Sequence, residues 1–424
     1  MPYHISMGDT SHTTALPGYD DALGKVLKRV SVLGEELVPL GGALGRVLSQ
    51  TVVADRDQPP FNRSAMDGYA LRCDDLLSNS SHHIVATIPA GGVADPGIDL
   101  SAGVARIATG AAVPGAYDAV IPVEQAEESA DSQRVTFLSA DVKPGACIHP
   151  RGADAQAGQV LIPSGTLLGA PHIGIAAAVG AVMLSVRHKP SVSLITTGDE
   201  VRPPATATSD IEPQQIRNSN GPMMDALLRG LGVELMDHVH VTDDPEATRA
   251  AAEEALSKSD LVVTVGGVSA GRRDYLPGVW GELGLETLIK GVAIQPGKPV
   301  LVAQPNSDRE KLVIGLPGNP VSVLATAHLF VWPVVRALQG LPPALPWRRV
   351  TLSQEVRPSP RREAFRPARL TGETLDQVEM IRWQGSGDLT HTSASHGFLR
   401  LPMEEQPMPA GTEAWFLPMI GGAL

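Results

Sequence analysis

The run Leu261-Val262-Val263-Thr264-Val265-Gly266-Gly267-Val268-Ser269-Ala270-Gly271 decides the fold. Its first five residues are apolar or β-branched with no polar alternation, the composition of a strand covered on both faces. The two glycines that follow place a turn at that strand's carboxyl end. Upstream, Asp243-Asp244-Pro245 opens a helix to about Lys258, with an acidic cap and proline in the first turn. Earlier still come a strand at 192–196, a helix around 221–229 and a strand at 233–241. Downstream, a strand at 311–316 runs into a helix beginning near Pro320. Strand and helix alternate, which predicts a doubly wound parallel sheet over 191–338.

The texture on either side is different. Residues 1–17 read as a flexible leader, followed by an amphipathic helix with Leu23, Val26, Leu27 and Val30 on one face, ending near Gly34. From about 38 to 150, short apolar runs at 84–88, 104–107, 119–123 and 135–138 are broken by glycine and proline, as in an all-β domain. Residues 171–186 read as a helix and then a strand, and β texture returns after Pro342-Pro343. The 43 glycines and 36 prolines among 424 residues follow no three-residue period, which excludes collagen and favours many turns.

The net charge of −12 argues against a nucleic-acid or anionic-membrane binder, and the 4% aromatic content against a base-stacking surface. It leaves room for an anionic small molecule where basic residues gather. Two cysteines, Cys73 and Cys147, are too few for a disulfide framework or a thiolate zinc site and fit a reduced, cytoplasmic setting. His82-His83 is a loop pair rather than a metal site. The apolar stretches 173–186 and 321–335 are too short or too polar to span a bilayer and read as core. No P-loop, G-x-G-x-x-G, H-E-x-x-H or G-x-S-x-G occurs.

Candidate chemistry lies in three loops at the carboxyl ends of predicted parallel strands: TTGDE at 196–200, GGVSAG at 266–271 and GLPGNP at 315–320. Open α/β sheets bind ligands there, and glycine-rich backbone at a helix start is an anion site. Arg272, Arg273, Lys290 and Lys298 supply local positive charge, while Asp199, Glu200, Asp243 and Asp274 could hold Mg²⁺ against substrate phosphates. Each element alone also reads as an ordinary turn or a solvated charge. It is their joint order that points to chemistry on a phosphorylated compound.

That order resembles the molybdopterin molybdenumtransferase family, the bacterial MoeA proteins and the gephyrin E domain. The matching elements are SAMDGYA at 64–70, ATGAAVP at 108–114, Arg151-Gly152-Ala153-Asp154, TTGDE, NSN at 218–220, VGGVSAGRRDY at 265–275, PGKP at 296–299 and GLPGNPVS at 315–322. Ser386-Gly387 and GFLRLP at 397–402 resemble the family's last domain. The resemblance implies a multidomain α/β plus β protein. Its parts would be a discontinuous linker domain (18–45 and 151–190), an inserted β domain (46–150), the α/β molybdopterin-binding domain and a C-terminal β-barrel (339–424). It further implies a homodimer with the site shared between subunits, and transient contact with the adenylyltransferase and apo-molybdoenzymes. The reaction implied is insertion of molybdate into adenylylated molybdopterin with release of AMP.

Carried over by motif, Asp67, Asp154, Glu200 and Asp274 become the catalytic carboxylates, with Asp67, Glu200 and Asp274 as Mg²⁺ ligands. Thr109, Arg151, Thr197, Gly198, Asp199, Asp243, Gly266, Gly267, Ser269, Lys290, Lys298 and Pro317-Gly318-Asn319-Pro320 become binders of the pterin nucleotide and oxyanion. Three departures stand out: Ala153 where the family usually has Glu, Asn218 where it has Asp, and Gln295 where it has Lys. Two other readings stay open, a molybdopterin adenylyltransferase-like enzyme and a low-activity paralogue that binds or assembles the cofactor.

Overall fold

The computed structural model describes residues 15–76, 80–139, 141–268 and 274–421. The chain forms two compact units. The first takes the described residues through Glu36, Gly45–Val47 and everything from Arg187 onward; the second takes Leu37–Leu44 and Leu48–Val186.

The first unit is built on a six-stranded sheet in the order Glu234–Val241, Ser191–Thr197, Leu261–Val265, Leu312–Leu316, Leu301–Pro305, Leu285–Lys290. The first four strands run parallel. The last two pair antiparallel, so the sheet is mixed where a parallel one was expected. Only three residues, Gly291, Val292 and Ala293, separate the strand Leu285–Lys290 from the next paired segment, Ile294–Gln295, leaving no room for a crossover helix. All five residues of Leu261–Val265 are buried, as their composition requires. Helices Asn220–Gly230 and Pro245–Lys258 supply the crossovers, and the Asp244 side chain caps the second by accepting from Ala247 N–H at 2.7 Å.

Two further parts complete this unit. The N-terminal helix, Tyr19–Leu27, stops seven residues short of Gly34 because the chain turns at Lys28, and β-branched Val30 and Val32 favour extended backbone. Its apolar stripe joins the α/β core: the Tyr19 ring meets Phe330 and Phe365 edge-on at 5.7 and 5.3 Å. Pro17 is held as well, its carbonyl accepting from Ala293 N–H at 2.8 Å. At the other end of the unit, Glu363–Thr371, Gln377–Met380, Arg348–Leu352, Glu413–Pro418 and Gly397–Leu401 close into a five-stranded barrel, and Ile294–Gln295 adds to its rim.

A 19-residue apolar helix, Pro320–Leu338, is long enough to cross a membrane by composition, but it is the core element of this unit. Val321, Val323, Leu329, Phe330 and Val334 are all fully buried.

The second unit contains a six-stranded sheet in the order Ala119–Pro122, Gly68–Leu71, Val104–Ile107, Ser81–Ile88, Arg134–Phe137, Ala126–Glu128. All four predicted β runs are strands. Gly68 has to be glycine, because a Cβ would sit 2.0 Å from the Ile121 carbonyl oxygen on the neighbouring strand. A separate core of Val38, Leu48, Val52, Ile162, Ala176 and Leu184 underlies the helix Ala170–Ala178.

Candidate active site

Strand order explains where the main cavity of the first unit lies. From Ser191–Thr197 the chain moves to one side of the sheet, to Glu234–Val241, and then crosses to the other, to Leu261–Val265. That reversal opens a crevice at the carboxyl ends, the place where doubly wound sheets take ligands. Here it is a cavity of about 700 Å³, lined by Thr196, Thr197, Gly198, Glu200, Asp243, Gly266, Gly267, Asp274 and Pro317-Gly318-Asn319-Pro320 among others. All three predicted loops therefore meet in one wall.

The glycines shape that wall. Gly198, Gly266 and Gly267 have φ of +134°, +88° and +66°, conformations that side chains resist. A Cβ on Gly266 would lie 2.8 Å from the Thr197 hydroxyl, and one on Gly198 would lie 2.9 Å from the Glu200 carboxylate. Backbone and functional groups approach each other closely, and only glycine allows it. Asn220 ties the wall together by donating to the Gly318 carbonyl at 2.7 Å, while its own amide oxygen is buried with no partner.

Not every expected residue lies in this cavity. Asp199 turns away from it and accepts from Asp243 N–H at 3.0 Å, fastening one loop to the next. Lys290 lines a different space of about 430 Å³, with Asp274 and Lys298. Ser269, together with Arg272 and Arg273, lies outside the described residues.

Lys298 also lines a basic cavity of about 600 Å³ with Gln295, Arg362, Arg366, Trp383 and Ser386. This cavity adjoins the main one through Pro299, Pro317 and Asn319, which line both. The Trp383 indole N–H is buried without a partner. Sequence reading missed Arg362, Arg366 and Trp383. The one available signal was a basic cluster, Arg361-Arg362 through Arg369, in an otherwise acidic chain.

Asp67, Thr109, Arg151 and Asp154 belong to the second unit. The Thr109 N–H (2.6 Å) and hydroxyl (2.9 Å) both donate to one oxygen of Asp67. These two bonds, the backbone one first, hold the Asp67 carboxyl below the usual carboxylate range. Asp154 meets His149 Nε2 at 2.7 Å. Arg151 pairs with Asp57 at 2.7 Å, and the Asp57 carboxyl is also lowered, first by the Ala157 N–H and then by Arg151. The two-residue ladder Arg63–Ser64 with Ile148–His149 connects the strands that precede Asp67 and Asp154.

A resident Mg²⁺ fits this chemistry. Among the described residues no three His, Cys, Asp or Glu side chains converge into a cage. Mg²⁺ is commonly held by one or two carboxylates together with substrate phosphates, and Glu200 and Asp274 share one cavity.

Comparison with known proteins agrees with this geometry. Residues 18–180 match the family profile "MoeA N-terminal region (domain I and II)", and residues 193–337 match "Probable molybdopterin binding domain". The molybdopterin molybdenumtransferase of Nostoc sp. is 32% identical over 95% of this chain and 94% of its own length. That of Synechococcus elongatus is 34% identical, over 93% and 97%. The solved molybdopterin biosynthesis MoeA protein of Pyrococcus horikosii is 31% identical with a TM-score of 0.78, covering 96% of this chain and 99% of that one. Fold and cavity define a doubly wound ligand-binding enzyme with β flanks. The chain belongs to the molybdopterin molybdenumtransferase family.

Proposed function

We propose that this protein inserts molybdate into adenylylated molybdopterin and releases AMP, the last step of molybdenum cofactor synthesis. The observation that carries the reading is the pair of adjoining cavities. One is large, rich in glycine backbone and flanked by carboxylates; the other holds Lys298, Arg362 and Arg366. A pterin nucleotide with a phosphoanhydride suits the first, where the Gly267 and Gly318 backbone lines the cavity and can approach phosphate oxygens, the Gly266 N–H being already given to the Leu316 carbonyl at 3.1 Å. A small tetrahedral dianion suits the second, where cations are crowded into a half-closed space.

Glu200 and Asp274 would hold the Mg²⁺, with Asp243 beside them. When bound, the ion would neutralise charge developing on the phosphoanhydride. Asn220 and the Pro317–Pro320 loop would orient the nucleotide. Asp67, kept ionised by Thr109, and Asp154, held by His149, would handle water or protons. Cleavage adds water across the phosphoanhydride, leaving one phosphate on the pterin and one on AMP.

A homodimer is part of this reading. Leu37, Leu44, Leu167 and Val182 in the second unit are 48–67% exposed, apolar surface that a partner subunit could cover. Sedimentation tests it. A cytoplasmic setting suits the two free cysteines, and burial pushes the Cys73 thiol up to about 11, so it is unreactive at neutral pH.

The purified chain, given adenylylated molybdopterin, molybdate and Mg²⁺, should yield molybdenum cofactor and AMP in equal amounts. A chelator should stop it. Turnover of molybdopterin and ATP instead would establish the adenylyltransferase reading.

A further inference from the structure

In the cavity wall, four polar groups form a chain whose direction can be worked out. The Gly221 N–H, at the start of the helix Asn220–Gly230, donates to Asn218 Oδ1 at 2.8 Å. The Asn218 amide nitrogen therefore faces Thr196 Oγ1, at 3.4 Å. Thr196 Oγ1 lies 3.0 Å from His240 Nδ1, and His240 Nε2 lies 3.1 Å from the Gly198 carbonyl oxygen. A carbonyl only accepts, so Nε2 carries the proton and Nδ1 of the neutral ring is an acceptor. Thr196 then donates to Nδ1, which is nearer than its other acceptor, the Val239 carbonyl at 3.5 Å. The polarity runs one way: Asn218 to Thr196 to His240 to Gly198.

The last link matters for the site. Gly198 sits at φ +134° directly beneath the Glu200 carboxylate, so the direction of its carbonyl sets the turn that presents Glu200 to the cavity. An aspartate at 218, the residue usual in the family, cannot start this chain. It has no proton to give, and it would take the Thr196 proton and leave Nδ1 facing a lone pair.

We propose that Asn218 and His240 are a matched pair of positioning residues that fix the TTGDE turn, and that the aspartate-to-asparagine departure at 218 is the partner of the histidine at 240. The inference rests on the proposed reaction for its functional meaning and on hydrogen-bond polarity for its structural content. The two are tested separately.

The structural content is read from ¹⁵N shifts of the His240 ring in the wild-type full chain at mildly alkaline pH, assigned with His240→Gln. The neutral Nε2–H tautomer is expected; an Nδ1–H or doubly protonated ring overturns the proposal. The functional content is read from kcat and KM of Asn218→Asp, His240→Leu and the double variant. Coupled neighbours depart from additivity, so Asn218→Asp should lower kcat about tenfold in the wild-type background but less than about threefold in the His240→Leu background, with KM for molybdate nearly unchanged. Thermal midpoints within about 2 °C of wild type separate positioning from a merely structural role. Equal losses in both backgrounds overturn the pairing. A wild type that forms no cofactor refutes the proposed reaction, while the ring spectrum still decides the tautomer.

Discussion

Glu200 and Asp67 are both exposed carboxylates on loops, yet the two units hold them in opposite ways. Glu200 rides on the end of a strand buried through most of its length, and its position comes from backbone: a left-handed glycine, a neighbouring strand and a neutral hydrogen-bond chain. Asp67 directly precedes the fully buried strand Gly68–Leu71, but its side chain is held in another way. It is itself the hub, drawing the N–H and hydroxyl of Thr109 onto one oxygen. One site is preorganised by the fold, the other by the carboxylate. A backbone change should therefore damage the first, and a charge change the second.

Acid sensitivity offers the largest test, because it should originate in the unit with the continuous core. His328 is fully buried in the helix Pro320–Leu338, donating from Nδ1 to the Leu324 carbonyl and accepting Ile420 N–H at Nε2. Burial pushes it down from 6.5 to about 4. The folded state thus favours the neutral ring. Its contribution is complete above pH 6.5 and is lost as pH falls from there toward 4, because the unfolded chain takes up the proton first. The loss should reach about 3 kcal/mol, roughly 1.4 per unit. Urea unfolding of wild type and His328→Gln checks this, since the stability gap between them should narrow as the medium is acidified. A constant gap would show that His328 is not the source.

Asp67→Asn is the sharpest charge test. Asparagine can still accept both Thr109 bonds, so the loop should keep its shape while the charge disappears. Activity should fall about a hundredfold, near 2.7 kcal/mol, with the melting temperature unchanged. Activity surviving within about twofold would reduce Asp67 to a turn residue, as an Asp-Gly turn accommodates Asn.

A matched pair of glycines tests the backbone half of the comparison. Gly266 (φ +88°) and Gly110 (φ +84°) share a conformation. An added Cβ at Gly266 meets the Thr197 hydroxyl at 2.8 Å, whereas at Gly110, beside Thr109, it meets nothing within 4 Å. Gly110→Ala should cost only the left-handed strain, about 1 kcal/mol, and Gly266→Ala about 2 kcal/mol together with a loss of nucleotide binding. Equal costs in denaturant melts would remove the distinction.

The smallest effect is expected at Gln295, on the wall of the basic cavity beside Lys298. Gln295→Lys should tighten molybdate binding roughly tenfold, about 1.4 kcal/mol, and make it more salt-sensitive. Calorimetric titration at two ionic strengths decides it, and unchanged affinity would exclude residue 295 from oxyanion binding.

Much of this was legible in the chain, and the failures have specific causes. The helix around Leu23 and Val26 was visible from its stripe, but its end was not, since Val30 continues the apolar spacing after the backbone has turned. The strand Leu301–Pro305 is buried at all five positions, Gln304 included, and a fully buried run reads the same whether its neighbour is parallel or antiparallel. Thr109 was visible as part of a recognisable motif, but its partner within the protein was not. That its donors serve Asp67, 42 residues away, is a fact of pairing between strands.

What the sequence determined by itself is whatever depends on neighbours a few residues apart. This includes the alternation of strands and helices, the Asp244-Pro245 helix start, the glycine turns at strand ends, and the ordered motifs that identify the family. These follow from periodicity, capping and backbone freedom, all of which are local. Only the tertiary structure decided which loops share a wall, that Arg362 and Arg366 from the barrel face Lys298, and that His240 reaches Gly198 across 42 residues. The physical reason is that a cavity or a hydrogen-bond chain is made by groups brought together through strand order and register. Those are set by burial of the whole core rather than by any short segment.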